Sequence, residues 1–307
     1  MSVRASNDRP LPAVAPTMLA SLYQHRLLST KQLHALHTPR AELGWARRVL
    51  RLLAQRELID RVQGPGTLSL WFLTEHGADA VETAGPRAEP RRRLTTRAQA
   101  EGPLRTHTLA VNDVGIAFVR AAQERGDECG PDSWRHEIAH PISRGRGRQP
   151  AEMLIADALL TYLQIDEDGS LVLHQRFIEL DRGTARPAEQ LASKITRYAR
   201  LRHYAPTTTS TTDDRLLWRS YYRSFPHLLI VLADQSHERV HHRIQRTLAL
   251  QRSDPAQQHH HRGGVSVSFV TLDDLVQQGP FAQIFVAAEA PTRFKDWLGN
   301  AQPIDER

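Results

Sequence analysis

FIELDRGTARPAEQLASKITRY, residues Phe177 to Tyr198, changes its repeat halfway along. As far as Asp181 it reads as a strand, and the period of two sets Glu179 and Asp181 on the same side. Beyond Pro187 the spacing turns helical. Leu191, Ile195, Tyr198 and Leu201 fall on one stripe, with Lys194 at its edge facing the sheet. Lysine is scarce in this chain: Lys31, Lys194 and Lys295 stand beside 37 arginines. That skew, with abundant alanine, reflects GC-rich coding before chemistry.

The segment just before it is a hairpin. Met153–Ile165 and Ser170–Asp181 read as strands joined by Asp166-Glu167-Asp168-Gly169, a polar turn ending in glycine. A register centred on residue 168 sets Asp157 opposite Glu179, where Cβ atoms lie about 4.5–5.5 Å apart on one face. Asp181 shares that face, so three carboxylates converge, and their repulsion must be offset. A divalent cation is one answer, and oxygen ligands without Cys or a His pair favour Mg²⁺ or Mn²⁺ over Zn²⁺. Lys194 then supplies a compact, titratable cation beside a phosphate. The competing reading makes the acids solvated strand residues, with Arg182 as an ion-pair partner in place of a metal and Lys194 an ordinary surface cation. Both readings stand at this level.

The surrounding pattern places a long helix at Leu104 to Glu124 and strands at His136–Ile142, His227–Ala233 and Val265–Val270. Helices are expected at Pro187–Tyr204 and Ser236–Gln251, with shorter ones near Leu272–Gln277 and Phe294–Leu298. Helix, three strands, helix, strand is the order of a mixed α/β domain. APTTTSTTDD, residues 205–214, reads as a low-complexity loop. GRGRQP at 145–150 is a basic loop and not a phosphate loop, because it lacks the Gly-Lys-Ser/Thr ending. His241-His242 and His259-His260-His261 have no acidic or Cys partner at ligand spacing and read as polar segments.

Residues 13–84 give helix, helix, helix, hairpin, helix. Ser29-Thr30-Lys31-Gln32 is a capping box that opens a second helix, Thr38-Pro39 starts a third, and Thr74 caps a fourth. The third helix is amphipathic: Ala46, Val49, Leu50 and Leu53 on one face, Arg47, Arg48, Arg51 and Gln55 largely on the other. Ile59-Asp60-Arg61-Val62 and LSLWFLT read as two strands around a Gly/Pro turn, with Arg61 at the base of the hairpin. Residues 85–103 lack periodicity and carry Arg91-Arg92-Arg93, a basic linker. The second domain spans 104–298.

Composition bounds the function. Charged residues make up 24% of the chain, the formal charge is +6 and the pI about 9.9, which favours an anionic partner, nucleic acid first. The single cysteine, Cys129, excludes an intramolecular disulfide and a cysteine zinc site and fits a reducing compartment. No apolar run approaches the roughly 20 residues of a membrane span. A cytoplasmic protein without membrane contact is expected.

Three resemblances extend this reading. LLSTKQLHALH (27–37) followed by VLRLLAQRELIDR (49–61) resembles bacterial winged helix-turn-helix domains. The resemblance implies double-stranded DNA as partner, with Arg47, Arg48 and Arg51 toward the major groove and Arg61 at the wing. Asp157, then Glu179-x-Asp181, with Lys194 on the next helix, resembles the PD-(D/E)XK nuclease superfamily. Here Asp181 stands at the usual lysine position and Ala156 at that of the proline. The expected fold class is therefore α+β, a winged helix-turn-helix followed by a restriction-endonuclease-like domain. Asp157, Glu179 and Asp181 are its metal ligands and Lys194 its catalytic cation. More narrowly, RTHTLAVNDV (105–114), IADALLTY (155–162), IELDRGT (178–184) and KITRY (194–198) resemble the replication-relaxation family, largely from actinobacterial plasmids and mobile elements. That resemblance implies a role in replication or relaxation of plasmid DNA, with replication or transfer proteins of the element as partners. Metal-dependent nicking and non-catalytic DNA binding or regulation with a degenerate nuclease-like domain both remain open.

Overall fold

The computed structural model describes residues 10–64, 66–84, 93–145, 150–183, 187–206, 216–233, 236–253 and 264–300. Arg91, Arg92, His259–His261, most of the GRGRQP loop and most of the threonine-rich segment lie outside the described residues. The chain mixes helix and sheet and divides into two compact units. One takes the described residues up to Ile116 with Gly130–Asp132; the other takes Ala117–Cys129 and the described residues from Ser133 onward.

The first unit holds α1 (Ala15–His25), β1 (Leu28–Ser29), α2 (Thr30–His37), α3 (Leu43–Gln55), β2 (Ile59–Gln63), β3 (Ser69–Leu73), α4 (Glu75–Ala84), α5 (Arg97–Glu101) and the front of α6 (Leu104–Arg125). β2 and β3 form the expected antiparallel hairpin, and β1 pairs with the other edge of β3. Met18, Leu22, Leu28, Leu33, Leu50 and Leu53 fill the core between helices and hairpin.

Gln32 shows how a local signal acquires a tertiary role. Its side-chain Oε1 accepts the Ser29 N–H at 3.0 Å and its backbone N–H donates to Ser29 Oγ at 3.2 Å, the expected capping box. Its amide nitrogen then donates to the Leu109 carbonyl at 2.8 Å and to Asp113 Oδ1 at 2.7 Å. Buried Asn112 likewise donates to the Leu27 carbonyl at 2.9 Å. These bonds tie the front of α6 to the first unit, so the division falls inside α6 and not before residue 104.

Two local expectations change. Thr38 closes α2, its N–H donating to the His34 carbonyl at 2.9 Å, and α3 begins only at Leu43. Within the stretch read as linker, Thr96 and Gln99 form a second capping box over α5, and Arg97 binds Asp60 of β2 at 2.8 Å.

The second unit is built on one seven-stranded sheet in the order β10-β9-β8-β7-β6-β5-β4. β4 (Trp134–Pro141), β5 (Met153–Ile165) and β6 (Leu171–Asp181) run antiparallel; β6, β7 (His227–Leu232) and β8 (Val267–Thr271) run parallel. Parallel neighbours require crossovers. α7 (Pro187–His203) joins β6 to β7, and α8 (His237–Ser253) joins β7 to β8. The two helices pack on each other, which sets both on one face of the sheet. α9 (Leu272–Gln278) follows β8, and β9 (Phe285–Ala287) and β10 (Phe294–Lys295) complete the sheet. The helix expected near Phe294–Leu298 is thus a short strand, too brief for its period to show. No described helix is long and apolar enough to cross a membrane.

Gly77 in α4 packs directly against the backbone of Leu58. A Cβ there would lie 1.9 Å from the Leu58 carbonyl oxygen, a backbone atom that cannot swing aside. Gly77→Ala is expected to destabilise the protein by about 1–3 kcal/mol or more, read from urea denaturation. Gly130→Ala, where a Cβ meets nothing within 4 Å, should leave the midpoint in place.

Candidate functional site

In the first unit α3 sorts its side chains as its sequence dictates. Ala46, Val49, Leu50 and Leu53 are buried, while Arg47, Arg48, Arg51 and Gln55 are exposed along the opposite face. Arg51 Nε donates to the Arg47 carbonyl at 3.3 Å, which holds its guanidinium along the helix surface. Arg61 is exposed on β2, its guanidinium 5.9 Å from the centre of the Trp71 ring.

In the second unit the β5–β6 register runs from Ala158 opposite Ile178 to Ile165 opposite Leu171. It is centred on residue 168, so Asp157 and Glu179 are the next opposed positions beyond the ladder. There the strands stop exchanging backbone bonds, and Asp157 Oδ2 accepts the Leu180 N–H at 2.8 Å. The side chain thus stands where a ladder carbonyl would.

Glu179 is the centre of the cluster, 1% exposed in the sheet. Its Oε1 accepts the Tyr198 hydroxyl at 2.6 Å, and its Oε2 is paired with Lys194 Nζ. Both partners come from α7, four residues and one turn apart. Asp181 is turned toward the neighbouring helix: its Oδ2 pairs with Arg243 of α8, and its Oδ1 accepts the Gly183 N–H at 3.0 Å. The structure therefore brings Asp157, Glu179 and Lys194 together, with Asp181 close enough to act on Lys194 but held by another cation.

The electrostatics follow from burial. Loss of water pushes the Glu179 carboxyl up to about 7, the Asp157 charge adds to this, and Lys194 and Tyr198 offset it only in part. Burial alone would lower Lys194, but the charges of Glu179 and Asp157 outweigh it and hold its ammonium above the usual range. Tyr198 stays a neutral donor, pushed up first by burial and then by Glu179.

Mg²⁺ or Mn²⁺ needs several carboxylate oxygens free to converge. Here the two oxygens of Glu179, the two of Asp181 and Oδ2 of Asp157 all accept from protein donors. Among the described residues no group of three or more His, Cys, Asp or Glu side chains is placed to hold a metal ion. The donor set in this arrangement does not fit a divalent cation; protein cations compensate the acids instead. Arg243, which compensates Asp181, is not singled out by the sequence. Its signal was positional: it lies on the stripe of α8 formed by Val240, Ile244 and Thr247, where a charged side chain must meet a partner.

The chain is thus a two-unit protein of mixed helix and sheet, one unit presenting an arginine face and the other a compensated carboxylate cluster. It belongs to the replication-relaxation family, whose model matches residues 19–214. No curated protein matches it. Two mutants of Lactococcus lactis ZitR are similar over 40% of this chain and 75% and 73% of theirs, at 16% and 17% identity. Their TM-score of 0.21 supports no assignment of fold.

The raised carboxyl of Glu179 has a consequence for stability. The folded chain holds this proton more tightly than the unfolded chain, whose glutamate has the ordinary value of 4.5. Its contribution is full below that value and is lost as pH rises through about 7. Glu179→Gln removes the titration. Across pH 5 to 8, urea unfolding should show the native protein losing stability relative to Glu179→Gln. A difference that stays flat across this window would refute the buried-carboxyl account.

Proposed function

We propose that the protein is a DNA-binding component of a plasmid or mobile element, acting in replication or relaxation of that element's DNA. Its first unit serves as a winged helix-turn-helix domain gripping duplex DNA. The observation that carries this reading is the exposed row Arg47, Arg48 and Arg51 on α3, behind which Ala46, Val49, Leu50 and Leu53 anchor the helix. Three guanidiniums on one rigid helix suit phosphates or guanine edges in a major groove. Arg61 on the β2–β3 hairpin serves as a flanking backbone contact. Family membership supports the replication role.

The second unit acts in this reading as a nuclease-like fold whose carboxylates are structural. Lys194 and Arg243 neutralise Glu179 and Asp181, and Asp157 closes the β5–β6 ladder. Nicking of duplex DNA is the second reading. What favours it is the gathering of Asp157, Glu179 and Lys194 at the end of β6, the places the PD-(D/E)XK resemblance assigns. Replication and transfer proteins of the element remain proposed partners.

Fluorescence anisotropy with a labelled duplex tests the first unit. Replacing Arg47, Arg48 and Arg51 together by Ala should weaken binding and reduce the slope of log K against log salt by roughly two to three, about 0.9 for each phosphate no longer neutralised. Arg61→Ala should produce a smaller reduction of the same kind. Unchanged affinity and slope would remove α3 as the DNA-gripping element. For the second unit, supercoiled plasmid is incubated with protein and Mg²⁺ or Mn²⁺ beside a Glu179→Ala control. The expected result is no open-circular product. Nicked circles with the native protein and none with the variant would move the conclusion to the second reading.

A further inference from the structure

One segment of the second unit combines positive charge and aromatic rings in a way that neither α3 nor the carboxylate cluster uses. The chain from Gln190 to Ala233 carries Lys194, Arg197, Arg200, Arg202, Arg215, Arg219 and Arg223 against two acids, Asp213 and Asp214. Within them, Trp218-Arg219-Ser220-Tyr221-Tyr222-Arg223-Ser224-Phe225 sorts its side chains by face. Trp218, Tyr222 and Phe225 are buried, whereas Arg219, Tyr221 and Arg223 are exposed.

The buried rings fasten the segment. Trp218 Nε1 donates to the Arg202 carbonyl at 3.0 Å, and the Leu217 N–H to the Tyr204 carbonyl at 2.9 Å. The Tyr222 hydroxyl shares a 2.7 Å hydrogen bond with His140 Nε2, and the Tyr222 and Phe225 rings lie 5.5 Å and 5.8 Å from Phe177. Tyr221 is left 58% exposed, yet its ring is backed by His140 at 5.0 Å and by Tyr222 at 6.2 Å. An outward tyrosine backed by two rings loses little freedom when a flat ligand stacks on it.

Cations lie along the same segment and on the rings and strand packed against it. Arg219 lies over Trp218 at 5.2 Å and Arg202 over Phe225 at 5.4 Å. Arg144 donates to the Ala205 carbonyl at 3.3 Å, and Arg135 of β4 acts electrostatically on both His140 and Tyr222. Glu152, just before β5, is engaged by Arg197 and Arg200 at 3.5 and 2.8 Å.

We infer that this surface binds single-stranded DNA, with an unpaired base stacked on Tyr221 and its phosphates held by Arg219 and Arg223. A ring available for stacking calls for a ligand with an open π-face, and arginines along the same segment call for a polyanion; a nucleotide strand supplies both. Base pairing and stacking hide those faces in a duplex, so the surface distinguishes unpaired from paired strands. The inference stands apart from the reading of α3, since it concerns other residues and another form of DNA.

The experiment is anisotropy of the full chain with a labelled 20-nucleotide oligo(dT), with the labelled duplex measured in parallel. Tyr221→Ala should weaken oligo(dT) binding roughly 5- to 150-fold, the effect of losing one base–aromatic stack. Tyr221→Phe, which keeps the ring, should restore it. Replacing Arg219 and Arg223 by Ala should lower the salt slope for oligo(dT) by roughly one to one and a half, about 0.7 for each phosphate of a single strand. A thermal melt shows whether each variant folds. Absence of oligo(dT) binding by the native protein would overturn the inference. So would Tyr221→Ala binding like the native protein, an equal loss with Tyr221→Phe, or a parallel loss on duplex. Failure of duplex binding alone would count against α3 and leave this surface untouched.

Discussion

A carboxylate buried in a β-sheet must be neutralised or protonated, and the second unit is arranged around that constraint. Glu179 stands on a central strand, and its oxygens are taken by a lysine and a tyrosine from a single helix. Breaking such a pair by removing one partner costs about 3–5 kcal/mol in a typical interior, because a desolvated charge is left behind. The pair therefore fixes the rotation of α7 over β6. With α7 rotated so, its stripe of Leu191, Ile195, Tyr198 and Leu201 faces the sheet and packs in the same core as Phe177 and Ile230.

The parallel arrangement extends the same logic. Crossovers from β6 to β7 and from β7 to β8 put α7 and α8 side by side on one face of the sheet, so each supplies a cation to the end of β6. Lys194 meets Glu179 and Arg243 meets Asp181. A lysine suits the first position, being a compact point charge that shares a buried site with a tyrosine hydroxyl. Arginine keeps its charge even where buried, which suits the second. With both acids compensated by the chain itself, a hard cation has few free oxygens to claim.

The two units express the chain's positive charge differently. On α3 the arginines stand on an exposed helical face above an aliphatic core, suited to a regular polyanion. Around Tyr221 they are interleaved with rings, four of which pack against one another beneath the surface. A net charge of +6 says only that anions are attracted. Which form of anion each surface prefers depends on whether the cations share the surface with aromatic faces.

Much of this was legible in the sequence because it is local or periodic. The face pattern of α3, the capping box at Ser29, the hairpin centred on residue 168 and the stripe of α7 all depend on residues a few positions apart. The same holds for the opposition of Asp157 and Glu179, since one tight turn sets the register of everything beyond it. What the sequence could not show depends on contacts between distant segments. Gln32 completes its bonds on α6, Asp181 is claimed by Arg243 from 62 residues away, and β10 finds β9 without a period of its own. By itself the sequence determined which residues share a strand face or a helix stripe, because backbone geometry repeats at short range. Only the tertiary structure decided which charge neutralises which, because that choice belongs to whichever helix the chain folds over the strand.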